Sequence, residues 1–248
     1  MDSYWIAQGN NYVDAASSST VTPGSGPNAG PVWKAGTTRI MAMGDSLTLG
    51  QGGESQGGYR NPLWNALTAD GKTLLPVGYR PGPGGTNGQP FYNSRWSGYG
   101  GWRIEELLGT GSRNMTGLNA YDWLRLYTPD TILLHIGTNN MYAGINLNWL
   151  IGQYQLLLDT MYAIAPNTHI FIAEILQHQA PWGTIDSYNL LVRAMVNNYI
   201  SQGRPYHLVQ GMNTIVGAAN YSDAIHLSPA GYQAMATIWK TAIDAAGA

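Results

Sequence analysis

Ser46 follows a short apolar run, Arg39-Ile40-Met41-Ala42-Met43, within the segment Gly44-Asp45-Ser46-Leu47. A serine at the carboxyl end of a buried strand opens onto a crevice. Its hydroxyl becomes a nucleophile when a neighbouring base removes its proton. Asp223-Ala224-Ile225-His226 contains such a base. An acid and an imidazole three residues apart share one loop, so the carboxylate can orient the ring and stabilise its protonated form. Between these segments, Gly137-Thr138-Asn139 ends a second apolar run at 131–136. A side-chain amide placed there can donate to a developing oxyanion. Each segment alone is ordinary, since serines fill loops, asparagines form turns and aspartates cap helices. Together, in the order nucleophile, oxyanion donor, acid–base pair, they describe acyl transfer through a serine ester. The Gly-x-Ser-x-Gly elbow is absent around Ser46.

The elements that must position these residues alternate along the chain. Strands are expected at 39–43, 74–79, 131–136, 169–175 and 206–209, each short, apolar and bounded by turn residues. Helices are expected from Pro62 through Leu67, at 147–165 ending before Pro166, and at 185–202. A last helix starts with Ser228 as cap and Pro229 in first position. This alternation predicts one three-layer α/β/α domain around a parallel sheet of about five strands in flavodoxin-like order. Residues 1–36, rich in Ser, Gly, Pro and Asn, read as a polar arm or linker, and 37–248 as the catalytic domain.

Composition narrows the function classes. Only 10% of residues are charged and the net charge is -2, so no basic patch exists to hold nucleic acid. Cysteine is absent, which removes disulfides and thiolate chemistry. No apolar run approaches the length of a membrane span, and the first residues lack the pattern of an export leader. No His/Asp/Glu cluster has metal-ligand spacing and no phosphate-binding Gly-rich loop is present, so neither metal nor cofactor is expected. A weakly charged surface with 16 tyrosines and 9 tryptophans suits uncharged ligands such as sugars.

These segments resemble the conserved blocks of the SGNH hydrolase superfamily, also called GDSL esterases. Gly44-Asp45-Ser46-Leu47 is similar to the first block, Gly137-Thr138-Asn139 to the third and Asp223 to His226 to the fifth. The second block, Ser97-Gly98-Tyr99-Gly100-Gly101-Trp102-Arg103-Ile104, resembles that of carbohydrate esterase family three, the acetylxylan esterases and their relatives. The resemblance spans roughly residues 38 to 245. It implies Ser46, Asp223 and His226 as catalytic residues, with the N–H groups of Ser46 and Gly101 and the Asn139 amide as the oxyanion hole. Gly100, standing where the family has Ser, leaves the choice between the two glycines open. Asn140 departs from the family's Asp and keeps part of that residue's hydrogen bonding without its charge.

The implied substrate is a short-chain ester, such as the O-acetyl groups of xylan, in an extracellular setting. Trp102 and Tyr142 are the candidates for closing a shallow acyl pocket, and His178, past the strand at 169–175, for lining it. Two rivals remain: a lipid-directed esterase or thioesterase, disfavoured by polar loops at 50–58 and 79–97, and a carbohydrate-binding module without turnover, disfavoured by the Asp–His pair. His135 reads as a core residue, His169 and His207 as structural or exposed, and Asp45 as a loop holder.

Overall fold

Seven residues, Thr38–Gly44 (β4), form the strand that every later part of the site depends on. The computed structural model describes residues 31–53, 57–80, 95–177 and 185–247, together with three short strands nearer the N-terminus. Those strands, Trp5–Gln8 (β1), Asn11–Asp14 (β2) and Thr20–Val21 (β3), pair antiparallel in a sheet of their own.

β4 pairs in parallel with Leu74–Pro76 (β5) on one side and Thr131–His135 (β7) on the other. His169–Ala173 (β8) and Tyr206–Val209 (β9) extend the sheet, giving the order β5-β4-β7-β8-β9. Counted along the chain, these five strands run 2-1-3-4-5, the flavodoxin-like order expected. A two-residue strand, Ser97–Gly98 (β6), pairs with the end of β4 through Met43 and Gly44. β5 is shorter than the run at 74–79 predicted: the Val77 N–H still donates to Ile40 O at 2.9 Å, and the chain then leaves β4. Past Val77, the chain turns at Gly78, where a Cβ would lie 2.4 Å from the Trp96 backbone.

Strand residues alternate between two cores, as the pleat requires. Met41, Met43, Ile132, Leu134, Ile170 and Ile172 face Ile104–Leu108 (α3), Ala120–Tyr127 (α4), Leu147–Ile164 (α6) and Ile185–Ser201 (α7). Ile40, Ala42, Leu133 and Phe171 face Arg60–Ala69 (α2) and Pro229–Gly247 (α8). Each fully buried Leu, Ile or Phe contributes about 1.5–3 kcal/mol, so two faces of such residues hold the three layers together. Ahead of β4, Val32 is buried, and Trp33 rests on the end of α8, where a Cβ on Gly247 would come within 2.7 Å of the indole Nε1.

Four helices lie outside the sequence expectation. Ser46–Leu49 (α1), Thr138–Tyr142 (α5) and α3 have four or five residues, too few to show a helical period. α4 does carry a start signal: Asn119 caps Tyr121 and Asp122, while the Asp122 carboxylate reaches back to the Asn119 N–H. No helix among the described residues is long and apolar enough to cross a membrane.

Candidate active site

The end of β4 approaches β7 closely, since a Cβ on Gly44 would lie 2.0 Å from the carbonyl oxygen of His135. The chain then turns through Asp45, whose Oδ1 accepts the Leu47 N–H at 2.9 Å and caps α1. Ser46 is thereby held as the first residue of a helix, 3% exposed. Complete burial lifts the Asp45 carboxyl to about 7, although the Leu47 N–H favours its charged form. α1 is only four residues long, and its closing carbonyls need partners. The buried guanidinium of Arg60 supplies them, with Nε donating to Thr48 O at 2.9 Å and Nη2 to Leu49 O at 3.2 Å. Its carbon lies 3.9 Å over the Trp96 ring.

The acid–base loop is built around one carboxylate. Asp223 Oδ1 accepts the N–H groups of Ile225 and His226, each at 2.7 Å, and Oδ2 lies 2.7 Å from His226 Nδ1. Burial opposes ionisation of Asp223, but the backbone N–H of His226, its ring and the Ile225 N–H hold the carboxyl below the usual range. A carboxylate only accepts, so Nδ1 carries a proton, and in the neutral ring Nε2 is the acceptor. Nε2 lies 3.0 Å from Ser46 Oγ. The two loops are tied directly: Ser222 Oγ sits 2.9 Å from both Gly52 O and Leu227 O, and the Tyr232 hydroxyl donates to Gln51 O at 2.7 Å. Ser228 Oγ accepts the Gly231 N–H at 3.3 Å at the start of α8, as its sequence predicts.

The third wall comes from 99–104 and α5. Tyr99 N–H donates to Gly44 O at 3.1 Å, which brings this segment to the end of β4. Gly101 has φ +76°, a left-handed conformation suited to glycine, whereas Gly100 does not. The N–H groups of Ser46 and Gly101 engage no other described residue. Asn139 Nδ2 donates to Trp102 O at 2.9 Å, leaving one amide hydrogen for a ligand. Asn140 is fully buried and bonds to Ile104 and Glu105.

Ser46, Asp223 and His226 are thus brought together, and Gly101 and Asn139 lie on segments joined to one another. Trp102, a candidate for closing the acyl pocket, belongs to the core beneath the site. It is 3% exposed and stacks on Tyr99 at 4.3 Å and Trp123 at 5.6 Å, so its surface is spent on the core. Tyr142 is 62% exposed at the end of α5. His178 lies outside the described residues. His135 is buried in β7, and His169 and His207 form a pair with Nδ1 and Nε2 2.8 Å apart. Burial first, and then His169, lower the His207 imidazole to about 4. Among the described residues, no group of three His, Cys, Asp or Glu side chains could hold a metal ion.

Sequence reasoning missed Arg60, Ser222 and Glu105. Arg60 was visible only as an isolated cation among 12 lysines and arginines in the chain, just ahead of Pro62. The Glu105–Asn140 contact joins residues 35 apart and has no local signal.

Residues 42–234 match the model of the GDSL-like lipase/acylhydrolase family. The chain is 31% identical over 226 residues to a multidomain esterase of Ruminococcus flavefaciens, covering 85% of this chain and 29% of that protein. It therefore spans less than a third of that relative's length. A family 3 carbohydrate esterase of Clostridium thermocellum superposes with a TM-score of 0.71 at 29% identity, covering 86% of this chain and 100% of that one. A carbohydrate esterase family 3 structure from Talaromyces cellulolyticus gives 0.65 at 21% identity, over 84% of this chain and 99% of that one.

Proposed function

The chain belongs to the GDSL-like lipase/acylhydrolase family, and from that premise we propose that it removes acetyl groups from a polysaccharide such as xylan through an acyl-enzyme on Ser46. The observation that carries the reading is the continuous relay from Ser46 Oγ to His226 Nε2 at 3.0 Å and from His226 Nδ1 to Asp223 Oδ2 at 2.7 Å. As Ser46 Oγ attacks the acetyl carbonyl carbon, Nε2 takes the hydroxyl proton, and Asp223 stabilises the imidazolium. The N–H groups of Ser46 and Gly101 and the second amide hydrogen of Asn139 bind the oxyanion. Collapse expels the sugar hydroxyl, protonated by His226. A water deprotonated by the same nitrogen then releases acetate and restores Ser46. No step calls for a cofactor.

The acetyl-polysaccharide assignment draws support from the family 3 carbohydrate esterase likeness and from the weakly charged, tyrosine-rich composition. An extracellular setting belongs to the same reading, since such substrates do not cross membranes. The test is acetate release from acetylated xylan, chitin oligomers and pectin, alongside p-nitrophenyl acetate, butyrate and octanoate. Acetylated glycan and p-nitrophenyl acetate are the expected preferences, and Ser46→Ala reduces both to background. Preference for octanoate would replace this reading with a lipid-directed esterase. An active Ser46→Ala protein would remove the mechanism.

A further inference from the structure

Two adjacent side-chain amides on α5 grip the segment that follows Gly101. Asn139 Nδ2 donates to Trp102 O at 2.9 Å. Asn140 Oδ1 accepts the Ile104 N–H at 3.1 Å, and its Nδ2 donates to Glu105 Oε2 at 2.6 Å. Only this orientation of the Asn140 amide satisfies both neighbours. Turned over, it would set oxygen against the carboxylate and NH2 against the N–H. The side chain is fully buried, so a lost partner there is not replaced freely by water.

We propose that Asn140 and Glu105 form a positioning pair, locking the loop that carries Gly101 to the start of α5 that carries Asn139. The pair keeps the two oxyanion donors at a fixed separation, and it rests on the esterase reading above. Neither side chain touches the reacting atoms. Their contribution is geometric, and displacement of donors by about 1 Å can cost on the order of a hundredfold in rate.

The chemistry of the pair makes it separable from mere structural support. A neutral amide donor suits the Glu105 carboxylate, whereas an acid at position 140 would bring two carboxylates to 2.6 Å. Such groups must share one proton or repel. Of the charged groups beside the pair, the Arg103 side chain has a buried Nε without a hydrogen-bond partner among the described residues, and the others have partners. Glu106 accepts the Arg103 and Arg113 N–H groups, and the Arg113 guanidinium donates to Gly101 O. On the helices packed against α3, Asp122 of α4 accepts the Asn119 N–H, while Asp159 of α6 pairs with Arg204. Arg125 and the tyrosines 121, 127, 154 and 162 complete the titratable set of α4 and α6.

The experiment measures kcat and KM for p-nitrophenyl acetate from pH 6 to 9 in the parent, N140D and N140D/E105Q, with circular dichroism melts of each. In N140D the ratio of kcat to the parent's is expected to fall about tenfold or more as pH rises, with KM within about twofold. In N140D/E105Q the glutamine amide donates to the new carboxylate and reverses the polarity of the pair. Its ratio is expected to be flat with pH and several-fold above that of N140D at pH 9. A pH-independent ratio in N140D, or a double variant no more active than the single, overturns the positioning pair. Should N140D fail to fold, the flat and restored profile of N140D/E105Q still decides the matter. A parent that hydrolyses no ester and takes no serine-directed phosphonate on Ser46 overturns the esterase reading itself, and the pair with it.

Discussion

Asn139 has two amide hydrogens and spends one on the Trp102 carbonyl. Asn139→Ala therefore loses a charge-stabilising donor together with a loop contact. Its kcat for p-nitrophenyl acetate is expected to drop roughly 10²–10³-fold, with KM nearly unchanged, because the oxyanion exists only beyond the ground state. Steady-state kinetics check this, and an equal rise in KM would recast the amide as a substrate anchor. At this scale the sequence was informative wherever chemistry and local spacing coincide. Ser46, Asp223 and His226 occupy short segments whose geometry follows from a strand end or a three-residue turn. Glu105 and Arg60 were silent, since each acts on a partner that only the fold brings near.

The elements show what local pattern leaves out. Trp102 was legible as the neighbour of Gly101, but its burial depends on Trp123 from α4, 21 residues further on. The rings of Tyr99, Trp102 and Trp123 stack on one another with centroids 4.3, 5.6 and 5.8 Å apart, and Tyr79 joins them 6.4 Å from Trp123. This stack joins the segment at 99–102 to the helix layer. Trp102→Ala is then expected to cost about 3–5 kcal/mol of stability through the cavity it leaves. It is not expected to admit longer acyl chains. A lowered Tm with an unchanged ratio of p-nitrophenyl butyrate to acetate hydrolysis checks this, and a ratio shifted towards butyrate would return Trp102 to the pocket wall. The buried strands were readable as continuous apolar runs between turn residues, and the long helices by their period over many residues. The helices of four or five residues were not, and they carry Ser46 and Asn139.

For the molecule as a whole, buried Asp45 and half-buried His207 pull stability in opposite directions as pH changes. Burial raises Asp45 to about 7. Its contribution is fully present below its ordinary value of about 3.9 and is lost as pH rises through 7. Burial and His169 lower His207 to about 4. Its contribution is present above the ordinary histidine value of about 6.5 and is lost as pH falls. The two slopes oppose each other across the same window, so the parent's Tm is expected to change little between about pH 4.5 and 6.5. Asp45→Asn should expose a Tm that falls with acid, and His207→Gln one that rises with acid. Differential scanning calorimetry across that window checks both, and identical slopes in all three proteins would remove the opposition.

Trp33 resting against Gly247 has a topological consequence. The backbone leading into β4 lies beside the end of α8, so residues 33–247 come close to a ring with a single cut. Where a ring is cut matters little to the contacts that hold it, provided the cut falls in surface backbone. The same adjacency lets the unit be spliced into a host polypeptide as a side loop, entering and leaving at nearly one point. The host would then feel a short bridge between neighbouring residues, however large the body hung upon it.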